Sequence, residues 1–124
     1  GEEIEYYERL RDPSAAPQPR LVFYWHEGKI QGLAKTWYSN GNLESQREIC
    51  NSAKNGVLTA WYLDGNLMMI EEYENDKLLR GEYFKKEEPI PVSEVFEGRG
   101  TATLFDAEGH FIQKIVYAHG KPEV

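Results

Sequence analysis

The sequence predicts an all-β protein, an elongated single-layer antiparallel meander of tandem β-hairpins. Three observations carry this. A stretch from Gly32 to Gly81 repeats with a period of about two dozen residues. Each copy places β-forming residues on both sides of Asn-Gly or Asp-Gly, the strongest short hairpin signal. Aromatic residues reach 13% while apolar residues stop at 40%, which suits half-buried strands better than a thick core.

Residues 1–11 contain the Tyr6-Tyr7 pair and read as a strand more than a helix. Residues 12–20 carry three prolines, which remove backbone donors and bias their predecessors to extended conformations, so a loop or polyproline connector is expected. Leu21–Trp25 is dense in β formers and reads as a strand, followed by a turn at His26 to Lys29. The first clear unit starts at Gly32 and the second at Gly56. After Gly81 the pattern is disturbed by a charged run, Pro89 and Pro91. Another clean unit starts at Gly100. The expected organisation is one repeat domain, 1–124: an irregular unit at 1–31, repeats at 32–55 and 56–80, an irregular unit at 81–99 and a repeat at 100–124.

Three apolar positions recur when each unit is counted from its first Gly. They are Trp37, Trp61 and Phe105; then Leu43, Leu67 and Phe111; then Ile49, Tyr73 and Tyr117. A two-residue turn would put the first set opposite the other two. A three-residue loop with Gly41, Gly65 and Gly109 at a bulge pairs Trp37 with Leu43 and places all three sets on one face. That face is the expected core. The opposite face of the second unit, Leu58, Ala60, Tyr62, Met68 and Ile70, is also apolar. Another part of the chain, such as the Pro-bearing loops, covers it, or it is an exposed contact patch for a partner or a second copy. Leu58, Tyr62, Met68 and Ile70 are the candidate patch.

The order Gly, Trp-Tyr, Asn/Asp-Gly, Leu and a later aromatic resembles the MORN repeat variant common in bacterial proteins. The resemblance covers Gly32–Lys77 and Gly100–Lys121 well, and the ends and 81–99 poorly. Tyr73 to Lys77 and Tyr117 to Lys121 match the family's second turn. The first unit departs from it, with Ile49 for the Tyr and Ser52 where Gly is usual. The resemblance implies a sheet of hairpins and non-catalytic roles: protein interaction, scaffolding and, for some members, membrane association. Some bacterial members carry an antitoxin label.

Chemistry-bearing residues are sparse. His26, His110 and His119 lie in turns without a ligand spacing, so solvated histidines are expected and no metal or cofactor. The Glu71-Glu72 and Glu87-Glu88 doublets read as surface charge, because neighbouring strand residues point to opposite faces. A single cysteine, Cys50, excludes an internal disulfide and a Cys-based zinc site. Gly98-Arg99-Gly100 lacks the spacing and the Lys of a phosphate loop and reads as a bend. Lys85-Lys86 is cancelled by the two acids that follow. The net charge of −7 argues against nucleic acid and against anionic lipid.

The expected function is a non-enzymatic protein-interaction or scaffold module with an unidentified protein partner, possible as a homo-oligomer. The alternative is an antitoxin-like or effector-type regulator that blocks one partner; a membrane-associated module ranks behind both. The sequence begins at Gly1 without an initiator Met and reads as a fragment, so a targeting segment and the compartment stay open.

Overall fold

The structure, a computed structural model, describes residues 1–7 and 18–123. Every regular element among them is a strand: β1 (Glu2–Tyr6), β2 (Pro19–His26), β3 (Lys29–Ile30), β4 (Gly32–Trp37), β5 (Leu43–Cys50), β6 (Ala53–Trp61), β7 (Leu67–Glu74), β8 (Lys77–Tyr83), β9 (Ser93–Phe96), β10 (Arg99–Phe105), β11 (Phe111–Ala118) and β12 (Lys121–Pro122). They form one open antiparallel sheet in which consecutive strands are neighbours, with β3 paired to β2 off the main path. The first strand begins at the N-terminus as expected, and β2 begins at Pro19 rather than Leu21. Residues 8–11 and most of the proline-rich stretch lie outside the described residues.

Two kinds of turn alternate along the meander. At the first kind, the Tyr62 N–H donates to the Asn66 carbonyl at 2.8 Å and the Gly65 N–H donates to the Tyr62 carbonyl at 2.9 Å. The same pair of bonds recurs at Tyr38, Gly41 and Asn42 and at Asp106, Gly109 and His110. These are three-residue loops, with φ of 92°, 92° and 96° at Gly41, Gly65 and Gly109, a backbone region closed to most side chains. Trp37 lies opposite Leu43, Trp61 opposite Leu67 and Phe105 opposite Phe111. At the second kind, two adjacent residues both have positive φ: Glu27-Gly28, Asn51-Ser52, Asn75-Asp76, Glu97-Gly98 and His119-Gly120. That is the type I′ turn, whose twist matches the strands it joins.

The loops position the faces differently from the sequence reading, and the cause is a further bulge. Beyond each three-residue loop the second strand carries one extra residue. Trp37 faces Leu43, but Thr36 faces Ser45, so Glu44 is unpaired. Met68 and Ile112 are the matching extra residues in the other units. One extra residue reverses the orientation of everything after it. The recurring apolar positions therefore do not share a face. Tyr73 and Tyr117 join Leu58 and Ala102 on the core side, while the Trp-Leu pairs near the turns lie on the other side. The structure corrects the expected core accordingly. Tyr73 and Phe105 are buried, Phe111 is 59% exposed, and Trp37, Leu43, Ile49, Trp61, Leu67 and Tyr117 are half-buried.

The core is built by Leu58, Tyr73, Leu78, Tyr83, Val95 and Ala102, with Met69, Leu104, Ile115 and Tyr117 packed against them. A flat single sheet cannot bury such a face. This one rolls up. Four strand steps separate β6 from β10, about 19 Å across a flat sheet. Yet the rings of Tyr62 and Phe105 lie 6.3 Å apart, edge to face. The Leu63 N–H donates to the Ala107 carbonyl at 2.9 Å, joining two loops across the roll. At the type I′ end, Leu78 donates to Gly120, Gly120 to Gly98 and Gly98 to Leu79. One rim is thus tied by a main-chain bond between loops of different units, and the other by bonds that link the Gly98 and Gly120 turns to each other and to β8.

Glycines in this roll permit close approach. A side chain at Gly81 would meet the Tyr83 ring at 2.4–2.8 Å, so Tyr83 lies over the bare main chain of its own strand. Gly56 and Gly100 lie opposite Tyr73 and Tyr117. An aromatic ring facing glycine recovers contact area that the missing side chain forgoes.

Candidate functional site

The most unusual group in the core is Glu71. It is 5% exposed, although the doublet it belongs to reads as surface charge in the sequence; only Glu72 is exposed. Glu71 points to the core side because it lies opposite Leu58 on one strand and Gly81 on the next. One carboxylate oxygen accepts from the Tyr73 hydroxyl at 2.9 Å and the other accepts from the Tyr83 hydroxyl. A buried carboxylate is tolerated when each oxygen is hydrogen-bonded. Burial first, and then the Glu71 charge, hold both phenols far above the ordinary tyrosine value. Each carboxylate oxygen thus has a phenol partner, and both phenol protons are committed to Glu71.

A second tyrosine system runs along the loop rim. The hydroxyl of Tyr7 donates to the Trp37 carbonyl, that of Tyr38 to the Trp61 carbonyl at 2.7 Å, and that of Tyr62 to the Phe84 carbonyl at 2.6 Å. Each ties one unit to the next. Burial pushes Tyr38 and Tyr62 up to about 12. These tyrosines hold the array together.

Two open grooves on the central strands are candidate places for a ligand. One, of about 350 Å³, lies on the core side between Thr36, Ser45, Arg47, Leu58, Ala60 and Met69. The other, of about 380 Å³, lies on the outer face of β6 to β9, among Val57, Ile70, Glu72, Arg80, Glu82 and Phe96. On this outer face Val57 is 44% exposed, Ile70 36% and Phe96 57%. The Arg80 guanidinium lies over the Phe96 ring, 5.3 Å from its centroid. Glu82 lies directly opposite Glu94 on the neighbouring strand.

The candidate patch of the sequence reading does not exist as one surface. Leu58 is 6% exposed and Tyr62 fully buried. Leu58 packs in the core of the rolled sheet, and the Tyr62 ring meets Phe105 edge to face. Met68 is the half-buried bulge residue, and Ile70 lies opposite Thr59 and Glu82 on the other face. Val57, Glu82, Glu94 and Phe96, which share that face, were missed. Their shared face depends on the bulge at Met68, which nothing in the side chains announces.

The remaining polar residues are dispersed. His26 ends β2, His119 lies in a type I′ turn, and His110 bonds to Asp106 of its own loop at 3.1 Å. No group of three potential metal ligands occurs among the described residues. Cys50 is an exposed thiol. Lys86 pairs with Asp64 at 3.6 Å. No helix among the described residues is long and apolar enough to cross a membrane.

No curated protein and no solved structure matches the chain. The model of the MORN repeat variant family matches residues 30–51 and 54–80. Those two segments each hold a three-residue loop, a displaced bulge and the strand that carries Ile49 or Tyr73. Residues 30–51 and 54–80 are thus similar to MORN repeats of the variant type, set within one open antiparallel meander, and such repeats point to a repeat-based binding or scaffold module.

Proposed function

We propose that this is a non-enzymatic protein-interaction module and that its contact surface is the outer face of β6 to β9. The observation that carries the reading is the placement of Val57, Ile70 and Phe96 around one open groove on that face. Apolar side chains grouped at a concave surface mark contact sites more often than scattered ones do. The polar network around Glu71 supports the non-enzymatic part, since its donors and acceptors satisfy each other. The test is capture of partners by the full chain and by an Ile70→Ser/Phe96→Ser variant, whose thermal melt checks that the fold survives. Loss of a captured protein by the variant is the expected outcome. A partner retained undiminished by the folded variant would overturn the assignment of this face.

A further inference from the structure

We infer that the outer groove is built for a basic protein segment with apolar anchors, a lysine- or arginine-rich stretch carrying leucine-like side chains between the charges. This rests on the interaction reading above and adds the chemistry of the partner. Val57, Ile70 and Phe96 supply apolar side chains to the lining of the groove. Its charge is one-sided. Glu72, Glu82 and Glu94 line it, and among the described residues Arg80 is the one cation there. Arg80 lies opposite Glu72 but turns its guanidinium onto the Phe96 ring. Among the described residues, none of the three carboxylates forms an ion pair.

The decisive feature is the pairing of Glu82 with Glu94. Residues directly opposite across antiparallel strands have Cβ atoms about 5 Å apart, and like charges placed so destabilise the sheet. That distance is well inside the screening length of about 10 Å at moderate salt. The chain holds this repulsion in place beside exposed apolar side chains. An incoming ammonium or guanidinium seated between the two carboxylates relieves it, while an apolar side chain of the same segment covers Val57 and Ile70. An acidic or neutral segment gains only the second contact. The chain's overall charge of −7 draws a basic partner from a distance in the same direction.

The probe is a fluorescein-labelled peptide of alternating lysine and leucine, read by anisotropy against the full chain at low salt. The expected result is saturable binding that Glu82→Gln/Glu94→Gln weakens about tenfold and that added salt weakens further. A control variant, Glu3→Gln/Glu108→Gln, removes the same charge elsewhere and should bind as the parent does. A lysine–serine peptide should bind more weakly, and a glutamate–leucine peptide not at all. Absence of binding overturns the inference. So does equal weakening by the control variant, which would mean bulk charge only, or equal binding of the lysine–serine peptide. The capture experiment separates this from the broader reading. A partner lost by Ile70→Ser/Phe96→Ser but kept by Glu82→Gln/Glu94→Gln leaves the interaction face standing and removes its basic partner.

Discussion

Alkali should unfold this protein through its buried phenols. Tyr38 and Tyr73 are each 9% exposed, and Tyr62 and Tyr83 are fully buried. Burial pushes Tyr38 and Tyr62 from 10.0 to about 12, and Tyr73 and Tyr83, beside the Glu71 carboxylate, are raised further. In the unfolded chain a tyrosine titrates near 10. Above that pH the unfolded chain has released these protons and the folded chain keeps them. The folded state then binds more protons, so stability falls as pH rises. Each tyrosine contributes about 1.4 kcal/mol per pH unit between its unfolded and folded values. The four together contribute about 5 kcal/mol per unit up to about pH 12, where Tyr38 and Tyr62 titrate in the folded chain, and the other two about 3 kcal/mol per unit beyond it. Against a stability of about 5–15 kcal/mol, the midpoint should fall about one to three units above pH 10. The stabilising contribution is complete below pH 10 and lost only on the alkaline side. Tyrosinate absorbance and far-ultraviolet circular dichroism, followed together, test this. The accessible phenols should titrate first, and the buried set should titrate in one step with the loss of sheet signal. Gradual titration of every tyrosine near pH 10 with the sheet intact would refute the burial argument.

Tyr83→Phe removes one of two donors to a buried carboxylate and should cost about 1.5–3 kcal/mol, whereas Tyr38→Phe removes a bond to a neutral carbonyl and should cost about 1 kcal/mol; chemical denaturation of both variants checks the order. Gly65→Ala has open space around it and should cost about 1–2 kcal/mol from positive φ alone. Gly100→Ala adds a carbon 2.2 Å from the Glu94 carbonyl oxygen, so it should be far more damaging, and equal melting temperatures for the two would contradict the strand packing described for β9 and β10.

The turns were legible in the sequence because they depend on one residue type at one place. Gly41, Gly65 and Gly109 are where the loop needs positive φ, and the pairing of Trp37 with Leu43 follows from loop length. The bulge that follows was not legible. Its extra residues, Glu44, Met68 and Ile112, share no chemistry, because an unpaired bulge residue is defined by the backbone ladder and not by its side chain. Missing it turned half of each unit over and placed Tyr62 in a patch when it belongs in the core. Glu71 was misread for a related reason. Its neighbour Glu72 is solvated, and its partner Tyr83 lies on another strand, so local sequence gave no sign of burial.

The bond from Leu63 to Ala107 has a consequence for how the array can change. Repeats that touch only their neighbours can be added or removed singly, with stability nearly a sum over units and junctions. Here a loop of the second unit is clasped to a loop of the last. A unit inserted between them would have to lengthen the arc and release the clasp, and one removed would overclose it. The span from β6 to β11 should therefore melt as a single cooperative block, and variation in repeat number should be confined to the region before β6.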